Sequence, residues 1–194
     1  SQLLEQGNTI QPGESLEEKV TIGGRVRSIR RMGKVSFMDL QDMGGKVQVY
    51  FEKNKIGSES YGLLKKIDLG DIVGATGNVF KTNRGETTLN VDNYDLLTKS
   101  IRPLPDKHHG LKDKEARYRQ RAVDMITNPE VLDTFVKRSK AISAMREYLD
   151  DKGFVEVETP LLQSIYGGAS ARPFKTKLNA LNMPLYLSIS PELY

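Results

Sequence analysis

Four side chains of this chain could read a nucleic acid: Arg30, Phe37, Gln48 and Glu86. A phenyl ring held at a wet surface stacks on an unpaired base, a contact worth roughly 1–3 kcal/mol. A carboxamide and a carboxylate read hydrogen-bonding edges, and a guanidinium meets phosphate or base acceptors. Phe37 is a candidate because of its register. Between Lys34 and Gln41, strand alternation sets Ser36, Met38 and Leu40 on one side and Val35, Phe37 and Asp39 on the other. In the next strand Val47, Val49 and Phe51 face inward, leaving Lys46, Gln48 and Tyr50 outward. Farther on, Leu89 and Val91 point in, which leaves Glu86, Thr88, Asn90 and Asp92 out. An aromatic that merely packs the end of a barrel fits the same pattern, and alternation alone does not choose.

A second constellation is Gly167-Gly168-Ala169 with Glu192. Glycine has no Cβ, so backbone there can approach a small ligand closely, and a carboxylate suits an ammonium group. On the residues alone, a simple turn and a solvated charge at a helix start are the favoured readings. His108 and His109 are adjacent, so they point in different directions, and no acid or cysteine stands at ligand spacing. No metal site is expected there or elsewhere.

The elements that position these groups follow from pattern. Residues 1–15 are polar and Gly-rich without periodicity and read as a frayed leader. Residues 16–99 read as a five-stranded barrel. Its strands are Val20 to Arg27, Lys34 to Gln41, Lys46 to Phe51, Asp71 to Lys81 and Thr87 to Leu97, with a helical stretch from Ser58 to Ile67. A helix between the third and fourth of five strands is the order of an OB-fold. Residues 100–110, with Pro103 and Pro105, have linker composition. Asn128-Pro129-Glu130 is a helix start, the apolar positions Val131, Phe135, Ile142, Met145 and Leu149 follow at helical spacing, and Gly153 is the stop. A strand is expected from Phe154 to Leu162 and another from Leu185 to Ile189.

Composition sets the outer bounds. A chain of 194 residues with 38% hydrophobic and 28% charged content is of the globular kind, and no apolar run suits a membrane span. Having no cysteine, it can form neither disulfides nor thiolate metal sites, which fits a cytoplasmic protein. The net charge of +4 says little, but its distribution says more. Arg25, Arg27, Arg30, Arg31 and Lys34 cluster without an intervening acid, and Arg117, Arg119 and Arg121 form a second group. Either cluster could contact phosphates or be a solvated face.

Specific runs carry a family resemblance over about Lys19 to Tyr194. Gly24-Arg25, Met32 to Phe37, Leu40-Gln41-Asp42, Gly45 to Gln48, Leu69 to Gly74, Thr82 to Glu86 and Leu97 to Lys107 resemble the anticodon-binding domain of bacterial-type class II lysyl-tRNA synthetases. Arg117 to Arg121, Phe135 to Lys140, Gly153 to Pro160, Gly167 to Phe174 and Ser190 to Tyr194 resemble the opening of that family's catalytic domain. The resemblance implies an α+β chain, an OB-fold barrel followed by an incomplete class II antiparallel-sheet core over residues 111–194. It implies that Phe37 stacks in the anticodon of tRNA-Lys while Arg30, Gln48 and Glu86 recognise the central uridine. It also implies that Gly168 and Glu192 hold the α-amino group of lysine, and that Gly153, Phe154 and Pro160 belong to the first class II motif at a homodimer interface. Two departures stand out: Ala122-Val123-Asp124-Met125, where an aromatic and leucines are usual, and Ser188, where many relatives carry arginine.

The implied enzyme joins lysine to tRNA through lysyl-adenylate with ATP and Mg2+. Its second and third motifs would lie after Tyr194, so a fragment that binds tRNA and lacks catalysis is expected. The region after Phe154 is expected to be loose or paired with another chain. The alternative reading is a freestanding OB-fold module for tRNA or single-stranded nucleic acid with a dimerisation remnant. An aspartate- or asparagine-charging relative is disfavoured because its loop corresponding to Gly167 to Phe174 is acidic.

Overall fold

The computed structural model of the chain describes residues 10–105, 111–192 and 194, so His108 and His109 lie outside the described residues. The architecture is α+β, in two compact units that divide between Asn128 and Pro129.

In the first unit β1 (Ser15–Met32), β2 (Val35–Asp42), β3 (Gly45–Glu52), β4 (Ile72–Lys81) and β5 (Thr87–Thr98) close a barrel in the order β1-β2-β3-β5-β4. All neighbours are antiparallel except β3 and β5, which run parallel through Gln48↔Thr88, Val49↔Leu89 and Tyr50↔Asn90. The β2–β3 hairpin turns on Asp42, whose Oδ1 accepts the N–H groups of Gly44 at 2.8 Å and Gly45 at 3.0 Å. Alternation fills the barrel as expected: Met38, Leu40, Val49, Phe51, Leu89 and Val91 are buried, joined by Val26, Val73 and Val79. The helical stretch differs. An unexpected turn of helix, α1 (Lys53–Ile56), precedes it and is set apart by Gly57 at φ +86°, and the stretch itself is α2 (Ser58–Leu63) running into a single 3-10 turn (Leu64–Lys66). Leu64 in that turn and Ile67 after it plug the core.

Two local features hold the barrel in register. At a bulge between Thr76 and Gly77, β4 runs so close to β5 that a Cβ on Gly77 would lie 2.1 Å from the Asn90 carbonyl oxygen. Asp71 is fully buried and accepts from the backbone N–H groups of Asp68 at 2.8 Å and Ser100 at 2.7 Å, and from Lys99 Nζ at 2.8 Å. Burial alone would raise its pKa, but these donors outweigh it and hold the carboxyl below its ordinary range.

The frayed-leader expectation needs correcting over residues 10–14. Gly13 donates to the Lys81 carbonyl, Lys81 to that of Glu14, and Ile10 joins the core. The strand edge of β4 gives this segment partners that composition does not reveal. Two short helices also went unread in the sequence: α3 (Lys114–Arg119), capped by Asp113 Oδ1 on the Ala116 N–H at 2.8 Å, and α4 (Arg121–Thr127).

The second unit opens with α5 (Pro129–Asp151). Its stop is a Schellman turn: Phe154 N–H bonds the Leu149 carbonyl, Gly153 N–H bonds that of Asp150, and Gly153 takes φ +83°. The strand expected from Phe154 onward is absent until Leu162. Residues 154–160 run without strand pairing among the described residues, and Phe154, Val155 and Val157 are exposed, because a strand needs a neighbouring ladder to satisfy its backbone. Arg146 fastens this stretch to the helix through Glu156, at 3.0 and 3.1 Å to its two oxygens. A three-stranded antiparallel sheet follows, β6 (Leu162–Gln163), β8 (Met183–Leu187) and β7 (Lys175–Leu178) in that spatial order.

Candidate nucleic-acid interface

The outward sides of β1, β2, β3 and β5 bring together the four residues singled out in the barrel. Arg30 pairs with Phe37 across β1–β2, Phe37 with Tyr50 across β2–β3, and Gln48 with Thr88 across the parallel seam. Phe37 is half-buried while Met38 beside it is 0% exposed, so the ring belongs to the outer face and not the core. The Arg30 guanidinium lies over that ring, 5.8 Å from its centroid. The Phe37 ring in turn meets Tyr50 at 5.1 Å and 48°, and Tyr50 meets Phe80 edge-on at 6.1 Å. Burial, then Glu52 and Tyr61, raise the Tyr50 pKa, so its phenol stays neutral. Tyr50 and Phe80 extend the aromatic strip beyond what sequence reasoning selected. Phe80 was legible in principle, because it follows the inward Val79 and alternation puts it outside.

Beside the rings lies a polar row. Asp39 is nearly buried and faces Lys46 Nζ at 3.4 Å and Arg30 at 4.0 Å. Gln48 departs from expectation: it is on the outer side but only 5% exposed. Its Nε2 donates to Glu86 Oε2 at 3.1 Å and its Oε1 accepts from the Thr88 hydroxyl at 3.2 Å. Glu86, at the end of the β4–β5 turn, remains exposed.

Much of the basic clustering is structural. Arg25 caps the Gly70 carbonyl at 2.8 Å, and Arg31 caps those of Leu64 at 3.1 Å and Ile67 at 2.9 Å. Burial, with Arg25 beside it, lowers the Arg27 pKa. Arg117 and Arg121 both converge on buried Asp124, at 2.8 and 2.6 Å, and Arg119 pairs with Glu115 at 2.7 Å. The Asp124 carboxyl is held below its ordinary range: burial opposes ionisation, but Asn128 and the two arginines prevail and lower its pKa. From the first cluster, Arg30 and Lys34 remain exposed on the barrel.

In the second unit, Gly168 and Glu192 come together. Gly168 has φ +83°, and a Cβ there would lie 3.2 Å from Ser190 Cβ and 3.4 Å from Glu192 Cβ. Ser190 Oγ accepts the Glu192 N–H at 3.2 Å, and nearly buried Gln163 reaches Ser188 Oγ at 3.4 Å. Pro160 is exposed and its carbonyl lies 3.5 Å from Gln163 Nε2. Among the described residues no three His, Cys, Asp or Glu side chains converge as metal ligands, and no helix is long and apolar enough to cross a membrane.

Comparison with known proteins agrees with both halves. Residues 20–97 match the family of OB-fold nucleic acid binding domains, and residues 113–194 match the tRNA synthetases class II (D, K and N). The chain is 54% identical over 179 residues to the lysine–tRNA ligase of Carboxydothermus hydrogenoformans, covering 92% of this chain and 37% of that protein. It is 55% identical over 184 residues to the Bacillus subtilis lysine–tRNA ligase, covering 93% and 37%. For the Syntrophomonas wolfei enzyme of the same name the identity is 57% over 175 residues, covering 90% and 36%. The chain thus spans little more than a third of the length of the curated relatives it matches. Along both halves the chain is thus similar to the class II lysyl-tRNA synthetases.

Proposed function

We propose that the outer face of the barrel binds the anticodon loop of tRNA-Lys. Phe37 stacks on an unpaired base, Arg30 holds the ring's other neighbour or a phosphate, and Glu86 with Gln48 reads the edge of the central uridine. One observation carries this reading: the half-buried Phe37 ring lies between Arg30 and Tyr50, with the Gln48–Glu86 pair on the adjoining strands. Stacking alone accepts any base, and the carboxylate supplies preference because it only accepts hydrogen bonds. Titrating a fluorescent anticodon stem-loop with a uridine-centred anticodon tests the proposal. Saturable binding that weakens in Phe37→Ala supports it. Equal binding of an unrelated hairpin by the native chain would overturn it.

The same reading extends to the complete enzyme. The carboxylate of lysine attacks the α-phosphate of ATP, expelling pyrophosphate and giving lysyl-adenylate, and the terminal ribose hydroxyl of tRNA-Lys then attacks the lysyl carbonyl and expels AMP. Gly168 leaves room for the α-amino group of lysine and Glu192 offers its carboxylate. In support, the two residues lie against each other at the φ +83° turn. ATP and Mg2+ belong to that complete enzyme. Among the described residues no three His, Cys, Asp or Glu side chains assemble a magnesium ligand set. Gly153, Phe154 and Pro160 would lie at a homodimer interface, which the exposed Phe154, Val155 and Val157 suit. A cytoplasmic enzyme fits this chemistry.

A further inference from the structure

Thr88 carries no role in the proposal above, yet its hydroxyl is fully buried behind the pair that faces the base. That hydroxyl has one hydrogen and two acceptors within reach: Gln48 Oε1 at 3.2 Å and the Glu86 backbone carbonyl at 3.3 Å. A carboxamide can sit either way round. Turned over, Gln48 would aim Oε1 at Glu86 Oε2, oxygen against carboxylate oxygen. With Nε2 toward Glu86, the carboxamide oxygen faces Thr88 and needs a donor. The Thr88 hydroxyl is that donor, in a place where an unpaired oxygen is costly.

Resting on the anticodon reading, we propose that Thr88 is a specificity-determining positioning residue. It locks the carboxamide of Gln48, and through it Glu86, into one hydrogen-bonding polarity. The locked pair presents a carboxylate acceptor beside the remaining amide hydrogen of Gln48. Uracil answers that order with its ring N–H donor and a carbonyl acceptor. Cytosine presents a ring-nitrogen lone pair and an amino group instead, and is refused. Without the hydroxyl the buried carboxamide oxygen loses its donor and Gln48 is held at its Glu86 end alone, so the polarity is weakened while the stacking ring is untouched.

The test uses the native chain with two RNA stem-loops that differ only in a central uridine or cytidine. The native protein prefers the uridine loop by roughly tenfold, the discrimination expected of one well-formed base contact. Thr88→Val has nearly the same shape and keeps the barrel, which thermal melting checks. It brings the two affinities together, and Thr88→Ser restores the preference. Phe37→Ala weakens both loops in parallel. If Thr88→Val melts like the native chain and keeps the full preference, the positioning role is wrong. If the native chain shows no preference, or Phe37→Ala binds as the native protein does, the anticodon reading itself fails.

Discussion

The guanidinium of Arg30 lies over the ring of Phe37, 5.8 Å from its centroid, on the adjoining strand. The cation covers one side of the ring and is drawn toward Asp39 at 4.0 Å. Removing either partner therefore alters the other's presentation. We expect Phe37→Ala to weaken stem-loop binding by about 1–3 kcal/mol. Because the ring lies outside the core, melting should move little. Anisotropy titration and thermal melting of the same sample check both halves. An equal loss of stability would make Phe37 a packing residue.

Gly77 should tolerate no side chain. A Cβ would sit 2.1 Å from the carbonyl oxygen of Asn90, which is backbone and cannot swing away. Gly77→Ala is expected to cost at least about 2 kcal/mol, in the range of overpacked cores. Urea denaturation followed by circular dichroism measures it, and a native-like midpoint would show that the β4–β5 approach is looser.

Asp71 gives the barrel an acid limit. Its pKa is lowered in the fold, so the folded state binds fewer protons than the unfolded chain as pH falls through the ordinary carboxyl range. Its contribution is complete above about pH 4 and is lost as pH drops toward its depressed folded value. Asp71→Asn should lower stability at neutral pH and flatten the acid limb of melting temperature against pH. An unchanged slope between about pH 2 and 5 would assign the limb to other carboxyls, such as Asp92 with its lysine partners Lys19 and Lys55.

Gly168→Ala places a methyl group 3.2 Å from Ser190 Cβ at a backbone angle that disfavours any side chain. If the pair holds lysine as proposed, Gly168→Ala in the complete enzyme raises the KM for lysine more than it lowers kcat, and Glu192→Gln does the same. Lysine-dependent pyrophosphate exchange reads both. Native kinetics in each would leave the contact a plain turn.

The barrel was readable because its period is two. Ser36, Met38 and Leu40 go in together, and a one-residue slip would have exposed all three. Gly153 was readable as a stop because few residues hold φ +83° without strain. The site was only half legible. Alternation put Gln48 on the outer face, but its burial depends on Thr88 and Glu86, which meet it only through barrel closure. Arginine clusters misled for a like reason: Arg31 is spent on the Leu64 and Ile67 carbonyls, and Arg117 on Asp124. Phe154 to Pro160 has strand composition, but composition supplies no neighbouring ladder.

Gln48 and Thr88 also belong to the short parallel seam where β3 meets β5, the joint that turns a curled sheet into a ring. Whatever clasps both strands there acts as a latch. An oligonucleotide lodged against them must hold the ring shut, and its grip is forfeited whenever the seam springs open. Amide exchange along Gln48 to Tyr50 should then slow as RNA is added, making this joint a built-in reporter of occupancy.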